Sequence, residues 1–311
     1  MAKYCFGIDV GGTTVKCGLF TVEGDLVEKW EIKTRTENNG ENILPDVAKT
    51  VLDKLQEKGI AKEEVAGVGI GVPGPVRGDG SLDGAVNLHW GYHNIPEEMG
   101  ALTGLHVKAG NDANVAALGE MWRGGGAGYN NLIMVTLGTG VGGGIVHDGK
   151  IVAGAHGAGG EIGHVHVEDA ITTPCNCGLC GCLEQVASAT GIANLAKAEL
   201  AVNKTPTILK GDYISAKTVF DAYKKGDEVA GIIVNRFAEY LGKALAQFAA
   251  IVDPDVFVIG GGVSKAGNVL IECVEKYFKE NAISFCRDIK IVLAELGNDA
   301  GICGAARMVL E

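Results

Sequence analysis

Three runs of strand character in this chain, Tyr4–Val10, Leu132–Leu137 and residues 256–259, each lead straight into a glycine-rich turn. The turns are Asp9-Val10-Gly11-Gly12-Thr13-Thr14-Val15-Lys16, Gly138-Thr139-Gly140-Val141-Gly142 and Gly260-Gly261-Gly262-Val263-Ser264. Glycine at a strand end lets the backbone bend sharply and aims its N–H groups at an incoming anion, so such loops can cradle phosphates. The same composition also makes ordinary hairpin and strand–helix turns. None of the three matches a Walker A loop or a dinucleotide fingerprint.

Between the loops, strands alternate with helices. Residues 15–22 complete a hairpin with the first run, and Glu23-Gly24-Asp25 makes the next turn. Pro45 opens a helix with an apolar stripe at Val47, Val51, Leu52 and Leu55, and Gly59 closes it. Val65–Val72 reads as a buried strand ending at Pro73-Gly74-Pro75, another strand lies near Val107, and Asn111-Asp112 opens a helix to about Trp122. Strand, glycine loop, strand and turn then recur from Leu132 to Gly149, an echo that suggests two related halves. Residues 184–200, 216–225, 227–252 and 299–310 read as helices, and 289–293 as a last strand. This alternation specifies α/β layers.

Composition narrows the function classes. At about 100–200 residues per domain, 311 residues suggest two domains, with a hinge expected near residues 112–130. Hydrophobic content of 47% with 21% charged residues excludes a disordered chain. A net charge of −11 argues against a nucleic-acid partner, because phosphate backbones need a basic face. The longest uncharged run, 124–146, holds nine glycines and makes a poor membrane helix. The N-terminus reaches Asp9 too soon for a signal-peptide core. Nine cysteines without a secretory signal point to the reducing cytoplasm, and to thiols or metal ligands rather than disulfides. The 48 glycines, about twice the usual frequency, show no Gly-X-Y period and are expected in tight loops.

Particular side chains suggest chemistry. Asp9 before the first bend and Lys16 after it suit a magnesium-linked carboxylate and a phosphate-neutralising cation. Asn111 or Asp112 can cap the helix that follows, and Asp112 can equally present a carboxylate to a substrate hydroxyl. Cys175-Asn176-Cys177-Gly178-Leu179-Cys180-Gly181-Cys182 packs four cysteines into eight residues, a density that implies a tetrahedral zinc. Spacing alone leaves open whether Cys180 takes the place of His164 as a ligand, and whether His164 or His166 is the histidine involved.

Together, Asp9-x-Gly11-Gly12-Thr13-x-x-Lys16, Gly138-Thr139-Gly140-x-Gly142, Glu161-Ile162-Gly163-His164 and the cysteine cluster resemble the ROK family (repressor, open reading frame, kinase), its bacterial ATP-dependent glucokinases above all. The resemblance covers essentially the whole chain. It implies a two-lobed actin-like, ribonuclease H-like ATPase fold with a cleft between lobes. Lobe one is then residues 1–115 with helix 299–311 returning to it, and lobe two is 116–298 with the zinc loop. ATP is expected against Gly11, Gly12, Thr13, Lys16, Thr139 and Gly140 at its phosphates and Gly261 and Gly262 at its adenosine, with Mg2+ held by Asp9. The implied reaction phosphorylates the 6-hydroxyl of glucose, with Asp112 as general base. Gly71, Asn87, Asn111, Glu161, His164 and Glu184 line the sugar site, and His164, Cys175, Cys177 and Cys182 hold a structural Zn2+. Kinases for N-acetylmannosamine, fructose, allose or mannose share these motifs. Repressors of the family carry a helix-turn-helix ahead of the first loop, for which the eight residues before Asp9 leave no room. Family members are commonly homodimers, sometimes tetramers.

Overall fold

Tyr4–Val10 is apolar at all but Gly7 and Asp9, and this segment forms β1, a central strand buried on both faces. The computed structural model describes residues 1–209 and 213–310. β2 (Thr14–Thr21) pairs antiparallel with β1, and β3 (Leu26–Lys33) antiparallel with β2, so the expected hairpin is a three-stranded meander. α1 (Ile43–Lys58) buries Val47, Val51 and Leu55 and stops at Gly59, whose left-handed conformation (φ 65°) is the C-cap its position predicts. The chain returns through β4 (Val65–Val72), parallel to β1. After the small hairpin β5 (Ser81–Leu82) and β6 (His93–Asn94), α2 (Ile95–Thr103) leads to β7 (Val107–Asn111), parallel to β4, and then to α3 (Asp112–Arg123).

The second series opens with β8 (Leu132–Leu137), β9 (Val141–His147) and β10 (Lys150–Ile151). α4 (Leu183–Ala187), α5 (Ala189–Val202), α6 (Ala216–Tyr223) and the long α7 (Glu228–Val252) follow. β11 (Val256–Gly260), α8 (Asn268–Asn281), β12 (Lys290–Leu293) and α9 (Ala300–Met308) complete the chain. The expected helix over 184–200 is broken at Ser188, which is extended and turns its hydroxyl to accept from the Gly191 N–H at 2.9 Å. No helix among the described residues is long and apolar enough to cross a membrane.

The two large sheets are ordered β3-β2-β1-β4-β7 and β10-β9-β8-β11-β12. Counted in chain order within each sheet, both read third-second-first-fourth-fifth, so the echo heard in the glycine loops is a repeat of topology. The chain divides into two compact units: Met1–Leu132 with Gly144–Gly160 and Glu295–Glu311, and Ile133–Gly143 with Glu161–Ala294. In the first unit, α1, through Val47 and Val51, and α2, through Ile95 and Met99, bury one face of the sheet over Phe6, Ile8 and Ile70. In the second, α7 buries Phe237, Leu241 and Leu245, and Phe257 meets Phe278 edge-on with ring centroids 5.7 Å apart.

α9 belongs to the first unit and shows that the glycine excess is not confined to loops. A Cβ on Gly7 of β1 would stand 1.8 Å from the Ile302 carbonyl oxygen, and one on Gly69 of β4 would stand 1.7 Å from that of Ala305. Glycine there lets α9 lie against the sheet backbone. The same device joins α3 to α9, where a Cβ on Gly304 would stand 1.7 Å from the Val115 carbonyl oxygen. These glycines serve packing density, which a reading of turns alone does not anticipate.

Candidate active site and metal centre

In the first unit, strand register places the predicted residues side by side. Asp9 of β1 pairs with Gly71 of β4, and Gly71 with Gly110 of β7, so Asp9, Gly71 and Asn111 lie at the carboxyl ends of three neighbouring parallel strands. Ligands of open α/β sheets bind at such ends. Lys16, opposite Asp9 across the hairpin, brings its ammonium to 3.9 Å from the Asp9 carboxylate and 3.5 Å from the Asn298 carbonyl. Burial pushes the Asp9 carboxyl up from its ordinary value, and Lys16 offsets part of that rise. The bend is held by the Thr34 hydroxyl donating to the Gly11 carbonyl at 2.6 Å and the Thr34 N–H donating to the Thr13 carbonyl at 3.0 Å. Gly12 lies against Asn87, where a Cβ would come 3.3 Å from its carbonyl oxygen. The Asp9 carboxylate is a hard oxygen ligand of the kind that holds Mg2+ together with waters and substrate phosphates, so the position fits that ion.

Asn111 caps α3 as its position predicts. Its Oδ1 accepts from the N–H groups of Ala113 at 3.0 Å and Asn114 at 3.1 Å, while its Nδ2 donates to the Gly74 carbonyl at 3.0 Å. Asp112 is half-buried in the first turn, and its Oδ1 accepts from the Ala113 N–H at 2.8 Å. Asn114 and Glu120 matter to this corner but escaped the sequence reading. Asn114 is buried; its amide donates to the Gly159 carbonyl at 2.8 Å and accepts from the Ile145 N–H at 3.2 Å. Glu120 is fully buried and accepts from the N–H groups of Gly125, Glu295 and Leu296 at 2.9–3.0 Å. The one available signal was a polar side chain on the apolar face of α3, beside Val115 and Leu118.

In the second unit, the loop at Gly138 follows β8 and the loop at Gly260 ends β11, strands that are neighbours in their sheet. Gly261 has φ 83°, and a Cβ there would strike the Leu137 backbone at 2.6 Å, so the two loops lie together. A cavity of about 580 Å3 opens beside them, bordered by Ala189, Ser215, Thr218, Gly262, Val263 and Lys265. It lies within the range of small-molecule sites, about 300–1,000 Å3. Glu184, on α4, accepts from the Val141 N–H at 3.0 Å.

The second unit also gathers four of the candidate metal ligands. One ligand atom from each of His164, Cys175, Cys177 and Cys182 lies within 4.8 Å of the others. Cys177 Sγ is 3.6 Å from Cys182 Sγ, and Cys175 Sγ is 3.7 Å from His164 Nδ1. Tetrahedral zinc with bonds of about 2.0–2.3 Å spaces its ligands by about 3.3–3.8 Å, so the site fits Zn2+ almost as it stands. Burial pushes the Cys182 thiol up to about 12 without a cation, so a thiolate there calls for one. His164 turns its other nitrogen, Nε2, to 3.8 Å from Glu161 Oε2. Cys180 and His166 point elsewhere. The Cys180 thiol donates to the Thr172 carbonyl at 3.3 Å, while His166 Nδ1 lies 3.0 Å from the Cys180 carbonyl and its Nε2 2.7 Å from Asp169.

Two sheets of one repeated order, glycine loops at their strand ends and a carboxylate on the first strand define an actin-like ATPase fold of the α/β class. The chain belongs to the ROK family, whose model matches residues 5–311. It is 42% identical to a glucokinase from Halalkalibacterium halodurans over 99% of this chain and 96% of that protein. Among solved structures, a ROK family glucokinase from Streptomyces griseus in complex with glucose and AMPPNP superposes with a TM-score of 0.72 at 32% identity, covering 97% of this chain and 98% of that one. A ROK hexokinase from Thermus thermophilus reaches 0.82 at 29%, covering 98% and 97%.

Proposed function

We propose that this chain is an ATP-dependent glucokinase that moves the γ-phosphoryl group of ATP to the 6-hydroxyl of glucose. The row of Asp9, Gly71 and Asn111-Asp112 at three adjacent strand ends carries the reading. The likeness to the two glucokinases named above supports both glucose and ATP. Phosphoryl transfer is chiefly positioning and electrostatics, so the chain's part is to hold two substrates and one proton.

Asp112 accepts the proton of the 6-hydroxyl as its oxygen bonds to the γ-phosphorus. The bond from that phosphorus to the bridging oxygen breaks, and ADP leaves with the electron pair. Asn111, Gly71, Asn87, Glu161, His164 and Glu184 hold the sugar; the carboxylates each accept several hydroxyl hydrogens in fixed directions. Gly11, Gly12, Thr13, Lys16, Thr139 and Gly140 face the phosphates, and Gly261 and Gly262 the adenosine. Asp9 holds Mg2+, which neutralises phosphate charge when bound. Zn2+ on His164, Cys175, Cys177 and Cys182 crosslinks the loop and takes no part in the chemistry. Nine free thiols suit the cytoplasm, and the working form is a homodimer or homotetramer.

The test is glucose 6-phosphate formation by the purified chain with Mg-ATP, run beside N-acetylmannosamine, fructose, allose and mannose. Glucose is expected to give the highest kcat/KM. A higher value for another hexose would reassign the acceptor, and no transfer to any would leave the sugar-sensing regulator as the reading.

A further inference from the structure

Glu184 occupies a position that a sugar ligand alone does not need. Its Oε2 accepts from the Val141 N–H at 3.0 Å, and a Cβ on Gly140 would stand 2.1 Å from that same oxygen. The loop Gly138–Val141 therefore takes its path around the Glu184 carboxylate, and glycine at 140 is the residue that leaves it room. Two more bonds from the same stretch of chain hold the loop. The Ala189 N–H donates to the Gly138 carbonyl at 2.8 Å, and the Thr190 hydroxyl donates to the Thr139 carbonyl at 2.9 Å.

The other oxygen of Glu184 faces the metal cluster. Oε1 lies 3.5 Å from the Cys175 sulfur, one of the four gathered ligand atoms. α4 itself starts from the cluster, with Cys182 as its N-cap and the Cys182 N–H donating to Gln185 Oε1 at 3.1 Å. The cluster is pinned in turn to the strand-like stretch after His164, since the Leu183 N–H donates to the Val165 carbonyl at 2.9 Å and the backbones of His166 and Cys182 pair in an antiparallel bridge. All of these contacts lie within the second unit.

We propose that Glu184 is a positioning residue for the nucleotide, in addition to any contact with sugar, and that the zinc loop sets the shape of the Gly138–Val141 loop through it. The inference rests on the assignment of that loop to ATP phosphates. A carboxylate that receives a backbone N–H orients it more firmly than water does, and ligands bind tightest to loops that need no reordering. Cutting the zinc loop free lets α4 and Glu184 shift, and the loop then has to be ordered by the nucleotide itself.

Calorimetry with the non-hydrolysable analogue AMPPNP and Mg2+, without sugar, tests this directly. In Glu184→Ala the dissociation constant is expected to rise about tenfold, the loss of one hydrogen bond that orders the loop. Glu184→Gln, which keeps an acceptor oxygen for Val141, should stay within about twofold. Stripping zinc from the wild type should cause a similar rise that added zinc reverses, and stripping Glu184→Ala should add little further. Wild-type nucleotide affinity in a folded, zinc-loaded Glu184→Ala would overturn the inference and leave Glu184 as a sugar ligand only. If Glu184→Ala does not fold, unchanged affinity in the zinc-stripped wild type overturns it. Failure of the zinc-loaded wild type to bind AMPPNP at all would instead overturn the assignment to ATP, and this inference with it.

Discussion

The side-chain amide of Asn111 donates to the carbonyl of Gly74 at 3.0 Å while its oxygen caps α3, so one residue ties the Pro73-Gly74-Pro75 turn to the helix that carries Asp112. Asn111→Ala removes all three bonds. It is expected to cost about 1–2 kcal/mol in urea unfolding and to raise the KM for glucose. Asn111→Asp keeps the cap but loses the donor to Gly74, and should lie between the two. A stable Asn111→Ala with unchanged KM would show that the turn holds its place without it.

Asp112→Asn keeps size and hydrogen bonding at the helix start but removes the proton acceptor. Turnover should fall by about 10²–10⁴ while glucose binding, read by calorimetry, largely survives. Turnover within about threefold of wild type would place the base elsewhere.

Asp9 links catalysis to stability. Burial raises its carboxyl pKa above the ordinary 3.8. The folded state therefore holds that proton more tightly than the unfolded chain and loses stability as pH climbs through the interval between the two values. At neutral pH the full penalty applies. Asp9→Asn should accordingly melt at a higher temperature than wild type at about pH 7 and at the same temperature near about pH 3, while losing Mg-ATP-dependent transfer. A lower Tm at neutral pH would mean that the Lys16 attraction outweighs burial.

Metal content should follow the geometry of the cysteine loop. Cys182→Ser is expected to lose its zinc in elemental analysis, and Cys180→Ser, whose thiol faces the Thr172 carbonyl, to keep about one per chain. The His166 ring faces the Cys180 carbonyl and Asp169 rather than a zinc ligand, so His166→Ala should also keep about one zinc per chain. Zinc lost from Cys180→Ser would exchange the roles of Cys180 and His164.

The contact of α9 with α3 leaves no room for a methyl group. Gly304→Ala should cost more than about 3 kcal/mol, because the Val115 carbonyl is backbone and cannot swing aside. Gly78→Ala, with nothing within 4 Å of its Cβ position, should change stability by less than about 0.5 kcal/mol. Equal effects at the two positions would contradict the close packing of these helices.

Features that depend only on near neighbours along the chain were legible from the residues alone. Gly59 ends α1 because a left-handed residue one step past the last turn is a local requirement. Asn111 caps α3 through N–H groups two and three residues on. Three of the four gathered metal ligands fall within eight residues, so their density was legible without a fold. Tertiary structure decided what depends on partners far along the chain. Glu120 is a buried carboxylate only because Glu295 and Leu296, 175 and 176 residues later, bring their N–H groups to it. Gly7 and Gly69 look like any strand glycines until α9 arrives across them, and Gly140 looks like a turn glycine until the Glu184 carboxylate fills the space beside it. Turn and cap chemistry spans a few residues and leaves a pattern in them. A close approach between distant segments has no such pattern, because one partner cannot be read from the residues around the other.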